Sequence, residues 1–90
     1  MLSLGEMSQR MEKLKDWALE NNVIVKEFSF KDFKEAMVFV NKIAELAEKE
    51  EHHPDILISY NIVRVSLTTH SEHGLTGKDF DVAEKIDVIT

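Results

Sequence analysis

The chain has 90 residues, 43% of them hydrophobic, no cysteine, and a formal charge of -6 from 17 acidic and 11 basic side chains. That length holds a single domain (residues 1–90) around one small core, and the lack of cysteine excludes disulfide staples and thiolate metal sites. The acidic balance argues against the basic face that nucleic-acid backbones require, and no apolar run is long enough to span a bilayer, so neither nucleic acid nor membrane is an expected partner.

Met1 is followed by Leu-Ser-Leu-Gly-Glu, with no basic stretch leading into an apolar run, so no secretory leader is expected and the location should be cytoplasmic. Leu4, Met7, Met11, Leu14 and Ala18 then recur at steps of three and four, which predicts a helix from roughly Glu6 to Asp16 with one apolar stripe. Trp17 closes it as a partly buried aromatic anchor. A short strand is expected around Trp17 to Leu19, a turn at Asn21-Asn22, and a longer strand over Val23 to Phe30.

The next helix is expected to start in a capping box between Ser29 and Asp32, with Phe28 and Phe33 as a hydrophobic staple. Ala36, Met37, Val40, Ile43, Ala44 and Ala47 keep helical period from there, and Phe39 and Leu46 widen the stripe until the helix has two apolar sides. It ends in Glu48-Lys49-Glu50-Glu51-His52-His53-Pro54-Asp55. Pro54 pushes His53 into extended backbone, so the helix must stop nearby. Acids at a helix C-terminus oppose the macrodipole, and such broken local rules cluster at functional sites.

Strands follow over Ile56–Tyr60 and Ile62–Thr69, joined by a tight turn at Tyr60-Asn61. Along the second, Val63, Val65 and Leu67 share one face and Arg64, Ser66, Thr68 and His70 the other, which puts His70 at the strand's end. After a loop at Ser71–Gly74, Thr76 caps the last helix with Asp79 as the matching acid and Leu75 and Phe80 as the staple, while Phe80, Ala83 and Ile86 face inward. The change of period along the chain predicts an α+β fold.

All four histidines lie between His52 and His73. As solvated turn residues they would do nothing. As a metal site, His70 and His73 have a loosely ligand-like spacing, but adjacent histidines donate both rings to one ion only awkwardly, and no His-x-x-x-His pattern is present, so no metal is expected. As proton carriers, His52 and His70 suit metal-free general acid–base work, with Glu48, Glu51 or Asp79 setting ring orientation and charge.

Glu48-x-x-Glu51-His52-His53-Pro54, then Tyr60-Asn61, Thr69-His70, and Gly74-Leu75-Thr76 with Asp79 resemble the pterin-4a-carbinolamine dehydratase family. Phe28-x-Phe30-x-Asp32-Phe33-x-x-Ala36 is similar to the start of that family's long helix, and Trp17 to an aromatic near its first strand. The resemblance implies a four-stranded antiparallel sheet with three helices on one face, assembled as a homodimer or homotetramer. It implies loss of water from 4a-hydroxytetrahydropterin to give quinonoid dihydropterin, which recycles a tetrahydropterin cofactor, with a pterin as substrate and no cofactor of the protein's own. The catalytic set it implies is His52, His53 and His70: His52 and His70 as acid and base, His53 holding the pterin ring. Glu48, Glu51 and Asp79 would surround them, binding substrate or tuning the rings, with Asp79 also capping the last helix.

The chain departs from the family at Ile56, where many members have Trp, at Ile58, where the family has Asn, and at Glu51, often Asp. Animal members also serve as a dimerisation cofactor of homeodomain transcription factors, so the resemblance leaves a second function open, that of a non-catalytic interaction module.

Overall fold

Strand hairpins and a helical crossover set the architecture, which a computed structural model describes for residues 2–90. In chain order these are α1 (Leu4–Glu12), β1 (Ala18–Glu20), β2 (Val23–Ser29), α2 (Phe33–Glu50), β3 (Asp55–Ser59), β4 (Ile62–Leu67), a 3₁₀ turn (His70–Glu72) and α3 (Gly77–Ile89). The strands form one antiparallel sheet in the order β1-β2-β4-β3. Two-residue turns build both hairpins. Glu20 pairs with Val23 and Ser59 with Ile62, and the first loop residue of each, Asn21 or Tyr60, takes positive φ as a tight hairpin requires. Asn61 then ties its turn to the end of β2 through Phe30, in both directions at 2.9 Å.

Alternation along the strands puts Ile24 and Phe28 of β2 with Val63, Val65 and Leu67 of β4 on one face. Against that face pack Ala36, Phe39 and Ile43 of α2 and Phe80, Val82, Ala83 and Ile86 of α3, with Met7 and Met11 of α1 at the margin. All three helices therefore feed one cluster, and the fold is the α+β sheet-and-helix layer that the change of period predicts. Phe28 and Phe39 meet at 4.7 Å between ring centroids, so the sheet–α2 contact is aromatic at its centre.

Several boundaries move, each for a local reason. α1 starts two residues earlier than the stripe suggests because Ser3 and Glu6 form a capping box, with bonds of 3.2 and 3.0 Å, that holds the Glu6 carboxyl below its usual range. It stops at Glu12 rather than near Asp16. Lys13 and Leu14 bond back three residues, to Arg10 and Met11, and this tighter turn keeps Leu14 against the core although it lies outside the helix. Trp17 is buried beyond that turn rather than closing the helix, and Ala18 is exposed in β1 instead of extending the stripe.

The α2 cap is also displaced. Asp32, not Ser29, is the N-cap: its carboxylate accepts from the Glu35 N–H at 2.9 Å, while Glu35 accepts from the Lys31 N–H. Phe33 is half exposed, not stapled. Within the chain α2 buries a single stripe, Ala36, Phe39, Ile43 and Ala47, and Val38 and Ala44 stay exposed.

Polar ties fasten α3 to both sides of the layer. Arg10 reaches Asp81 at 2.8 Å and Glu84 at 3.3 Å and lies over the Phe80 ring; the Asp81 bond raises its already high pKa further. At the other end the Asp87 carboxylate accepts from Trp17 Nε1 and from Lys26 Nζ at 2.9 Å. No helix among the described residues is long and apolar enough to cross a membrane.

Candidate active site

The corner after α2 is made without glycine or asparagine. Glu51 takes the left-handed conformation at φ 53°, which costs an L-residue about 1–2 kcal/mol, and the chain recovers bonds to the helix's last carbonyls. The Glu51 and His52 amides both donate back toward the last turn, His52 reaching the Ala47 carbonyl at 3.2 Å. This 6→1 closure fixes the backbone of His52 and turns its ring back toward α3.

There His52 Nε2 lies 2.5 Å from Asp79 Oδ1. Asp79 is fully buried and the His52 side chain is only 12% exposed. A buried carboxylate is tolerable only when its oxygens are saturated with donors. The second oxygen meets that need: Oδ2 accepts from the Thr69 hydroxyl at 2.7 Å and from the Thr76 N–H at 3.0 Å. Thr69 and Thr76 hydroxyls are 2.9 Å apart, so the cluster closes on itself. Asp79 thus does two jobs, capping α3 through Thr76 and holding His52, and only the first is visible in the local sequence.

No buried side-chain nitrogen or oxygen among the described residues is left without a partner. His52 Nδ1 has none, so that nitrogen opens on solvent. His53, the next residue, points elsewhere. Its Nε2 meets Glu48 Oε2 at 2.5 Å, yet this pair stands in water, with the two side chains 61% and 78% exposed.

The other acids of the corner are also accounted for. Glu50 binds Lys85 of α3 at 2.8 Å, so two of the three acids opposing the α2 dipole have cationic or imidazole partners. The Glu51 carboxylate, exposed, touches neither histidine and contributes its backbone turn.

His70 does not end the strand: β4 stops at Leu67 and His70 opens the 3₁₀ turn, where it is exposed. The reason is the bridge between Thr69 and Gly74, with backbone bonds of 3.1 and 3.4 Å, which folds residues 70–73 out as a small loop. His70 nonetheless follows directly on Thr69, which bonds the carboxylate that holds His52. His73 closes the loop at φ 55°, also exposed. No three His, Asp or Glu side chains among the described residues converge as a metal-binding group.

The arrangement joins a shielded imidazole–carboxylate pair to an exposed histidine on a neighbouring loop. The first has an orienting group, the second freedom to reach a ligand. Both are what proton transfer at two points of one ligand needs. Of the residues singled out in the sequence, the structure brings His52 and Asp79 together and leaves His53, His70 and His73 exposed. The Thr69 hydroxyl was not singled out, and only its place beside His70 gave a hint.

The family described as Pterin 4 alpha carbinolamine dehydratase matches residues 1–89. A Nostoc protein provisionally named a pterin-4-alpha-carbinolamine dehydratase is 53% identical over 89 residues, 99% of this chain and 96% of its own. A protein of Sulfurisphaera tokodaii with the same provisional name is 49% identical over 86 residues, 96% of this chain and 92% of its own. The crystal structure of a transcriptional coactivator/pterin dehydratase from Brucella melitensis superposes with a TM-score of 0.93 at 39% identity, covering 98% of this chain and 96% of that one. A pterin dehydratase-like protein described as a RuBisCO assembly factor in the alpha-carboxysome shares the fold, with a TM-score of 0.67 at 19% identity over 81% of this chain and 84% of that one.

Proposed function

The chain belongs to the pterin-4a-carbinolamine dehydratase family, and on that premise we propose that it converts 4a-hydroxytetrahydropterin to quinonoid dihydropterin and water. The observation that carries this reading is the His52–Asp79 pair, shielded on one side and open at Nδ1 on the other. In the reaction the C4a–O bond breaks and the hydroxyl leaves as water with a proton from a general acid. A general base removes the proton of the adjacent ring nitrogen, whose electron pair forms the new C=N bond. Atoms and charge balance with no change of oxidation state. His52 and His70 take the acid and base roles, coming from two elements that meet at the Asp79 cluster. His53, its ring held by Glu48 in water, binds the flat pterin rather than moving protons.

Several further features belong to the same proposal. The protein works in the cytoplasm as a homodimer or homotetramer, because a 90-residue chain with half-exposed Phe33 and Val38 on its longest helix gains from burying them. It contacts no nucleic acid directly, given the charge of -6. A second reading, a non-catalytic interaction module, is favoured by the coactivator half of the Brucella protein's description.

The two readings part in one assay. With 4a-hydroxytetrahydropterin generated in place by a coupled hydroxylase, the protein should speed the appearance of quinonoid dihydropterin well beyond spontaneous dehydration, and a chelator should not slow it. No acceleration at micromolar protein would leave the interaction module standing.

A further inference from the structure

The Asp79 cluster has a directionality that follows from which groups are able to donate. The Thr76 N–H only donates, and it points at Asp79 Oδ2 at 3.0 Å, so that oxygen accepts. Thr69 has one hydroxyl proton and two oxygen neighbours, Asp79 Oδ2 at 2.7 Å and Thr76 Oγ1 at 2.9 Å. With its proton on the carboxylate, Thr69 accepts from Thr76, and every group in the chain is satisfied. With the proton turned to Thr76 instead, Oδ2 of a fully buried carboxylate loses its shorter bond. A carboxylate offers only lone pairs, so with both donors on Oδ2 the oxygen facing His52, Oδ1, accepts as well, and the bond is donated by Nε2–H.

We propose that Thr69 is a positioning residue of the site: by donating to Asp79 Oδ2 it keeps Oδ1 an acceptor and fixes His52 as the Nε2–H tautomer, leaving Nδ1 as the nitrogen offered to the reaction. The role in the reaction rests on the function proposed above; the tautomer does not. Thr69 is well placed for the task. Its backbone is pinned by the bridge to Gly74, so its hydroxyl is held while the neighbouring His70 stands free. The same residue therefore anchors the cluster that orients one proposed proton carrier and launches the loop that bears the other.

The test reads the nitrogens directly. Long-range proton–nitrogen correlation spectra of substrate-free protein labelled at histidine, with His52 assigned by its loss in His52→Gln, should show Nε2 protonated and Nδ1 bare in the neutral ring. Thr69→Val keeps the shape without the hydroxyl. It should bring the Nδ1–H form to a tenth or more of the population and lower kcat about tenfold, and Thr69→Ser should restore both. Asp79→Asn gives a second reading should the valine variant not fold. The donors on the Oδ2 side select the amide oxygen, turn the NH2 toward His52, and flip its tautomer to Nδ1–H. An Nδ1–H ring in the unaltered protein, an unchanged nitrogen pattern in Thr69→Val, or an unflipped one in Asp79→Asn would each overturn the proposal. Because no substrate is present in these spectra, an inactive protein would count against the dehydratase reading and leave the tautomer to be decided separately.

Discussion

His52 and His53 are neighbours in sequence, each has Nε2 2.5 Å from a carboxylate oxygen, and they live in opposite surroundings. The Asp79 carboxylate is fully buried and further held by Thr69 and Thr76, whereas the Glu48 carboxylate is largely in water with no second partner among the described residues. Distance alone would call the two pairs equivalent. Burial separates them: removing one partner of a buried pair leaves an uncompensated polar group and costs about 3–5 kcal/mol, while an exposed pair contributes about 0.2–1 kcal/mol. One pair is a fixed part of the fold that presents a ring in a single pose. The other is a surface contact that can be broken at little cost.

The largest effects on stability should therefore fall on the buried side, and the largest effects on kcat on the two proposed proton carriers, one shielded and one exposed. His52→Ala and His70→Ala are each expected to lower kcat by about 10²-fold or more, the range for general acid–base groups. Asp79→Ala should match that loss and also destabilise the fold by about 3–5 kcal/mol, since the His52 ring and the Thr76 N–H lose their acceptor together. His70→Ala should leave stability close to unchanged, because its side chain is exposed. Steady-state kinetics beside urea unfolding separate these outcomes. An Asp79→Ala protein as stable and active as its parent would erase the contrast between the two pairs.

The exposed pair should respond differently in kind as well as in size. His53→Ala is expected to act mainly on KM, the mark of lost binding common to ground and transition states, with kcat within a few-fold of the parent. Glu48→Gln should change stability by less than about 1 kcal/mol and KM by a few-fold, through the ring it steadies. A His53→Ala protein with normal KM and a 10²-fold loss in kcat would make His53, not His52, the proton carrier.

This contrast was only half written in the sequence. Period and turn chemistry showed the strands, both two-residue hairpins and α2, because those signals are local: Asn21-Asn22, Tyr60-Asn61, and apolar residues at helical steps. Thr76-x-x-Asp79 likewise announced a helix start. What was hidden depends on three dimensions. Glu51 stops α2 in a left-handed conformation that glycine or asparagine would have advertised. Oδ1 of Asp79 meets a histidine 27 residues earlier, and Thr69 joins at Oδ2 across a loop of its own making. His70, read as the last residue of a strand face, is lifted out of the sheet by the Thr69–Gly74 bridge, an interaction that no period in the strand could foretell.

The smallest effect expected is that of His73→Ala, and it tests the logic from the other end. His73 shares with His70 the 3₁₀ loop and an exposed ring, so composition treats the two alike. Their positions differ. His70 follows the residue bonded to Asp79, whereas His73 stands at φ 55° on the far side of the turn, with its amide bonded to the His70 carbonyl. Left-handed backbone is its one structural duty, and alanine pays there only the modest penalty of any non-glycine residue. His73→Ala should therefore keep kcat and KM within about two-fold of the parent and cost no more than about 1 kcal/mol in unfolding free energy, as for surface substitutions. If it proved as damaging to kcat as His70→Ala while circular dichroism stayed unchanged, the loop histidines would be acting together. The division between a buried orienting cluster and one free proton carrier would then give way to a cooperative histidine group.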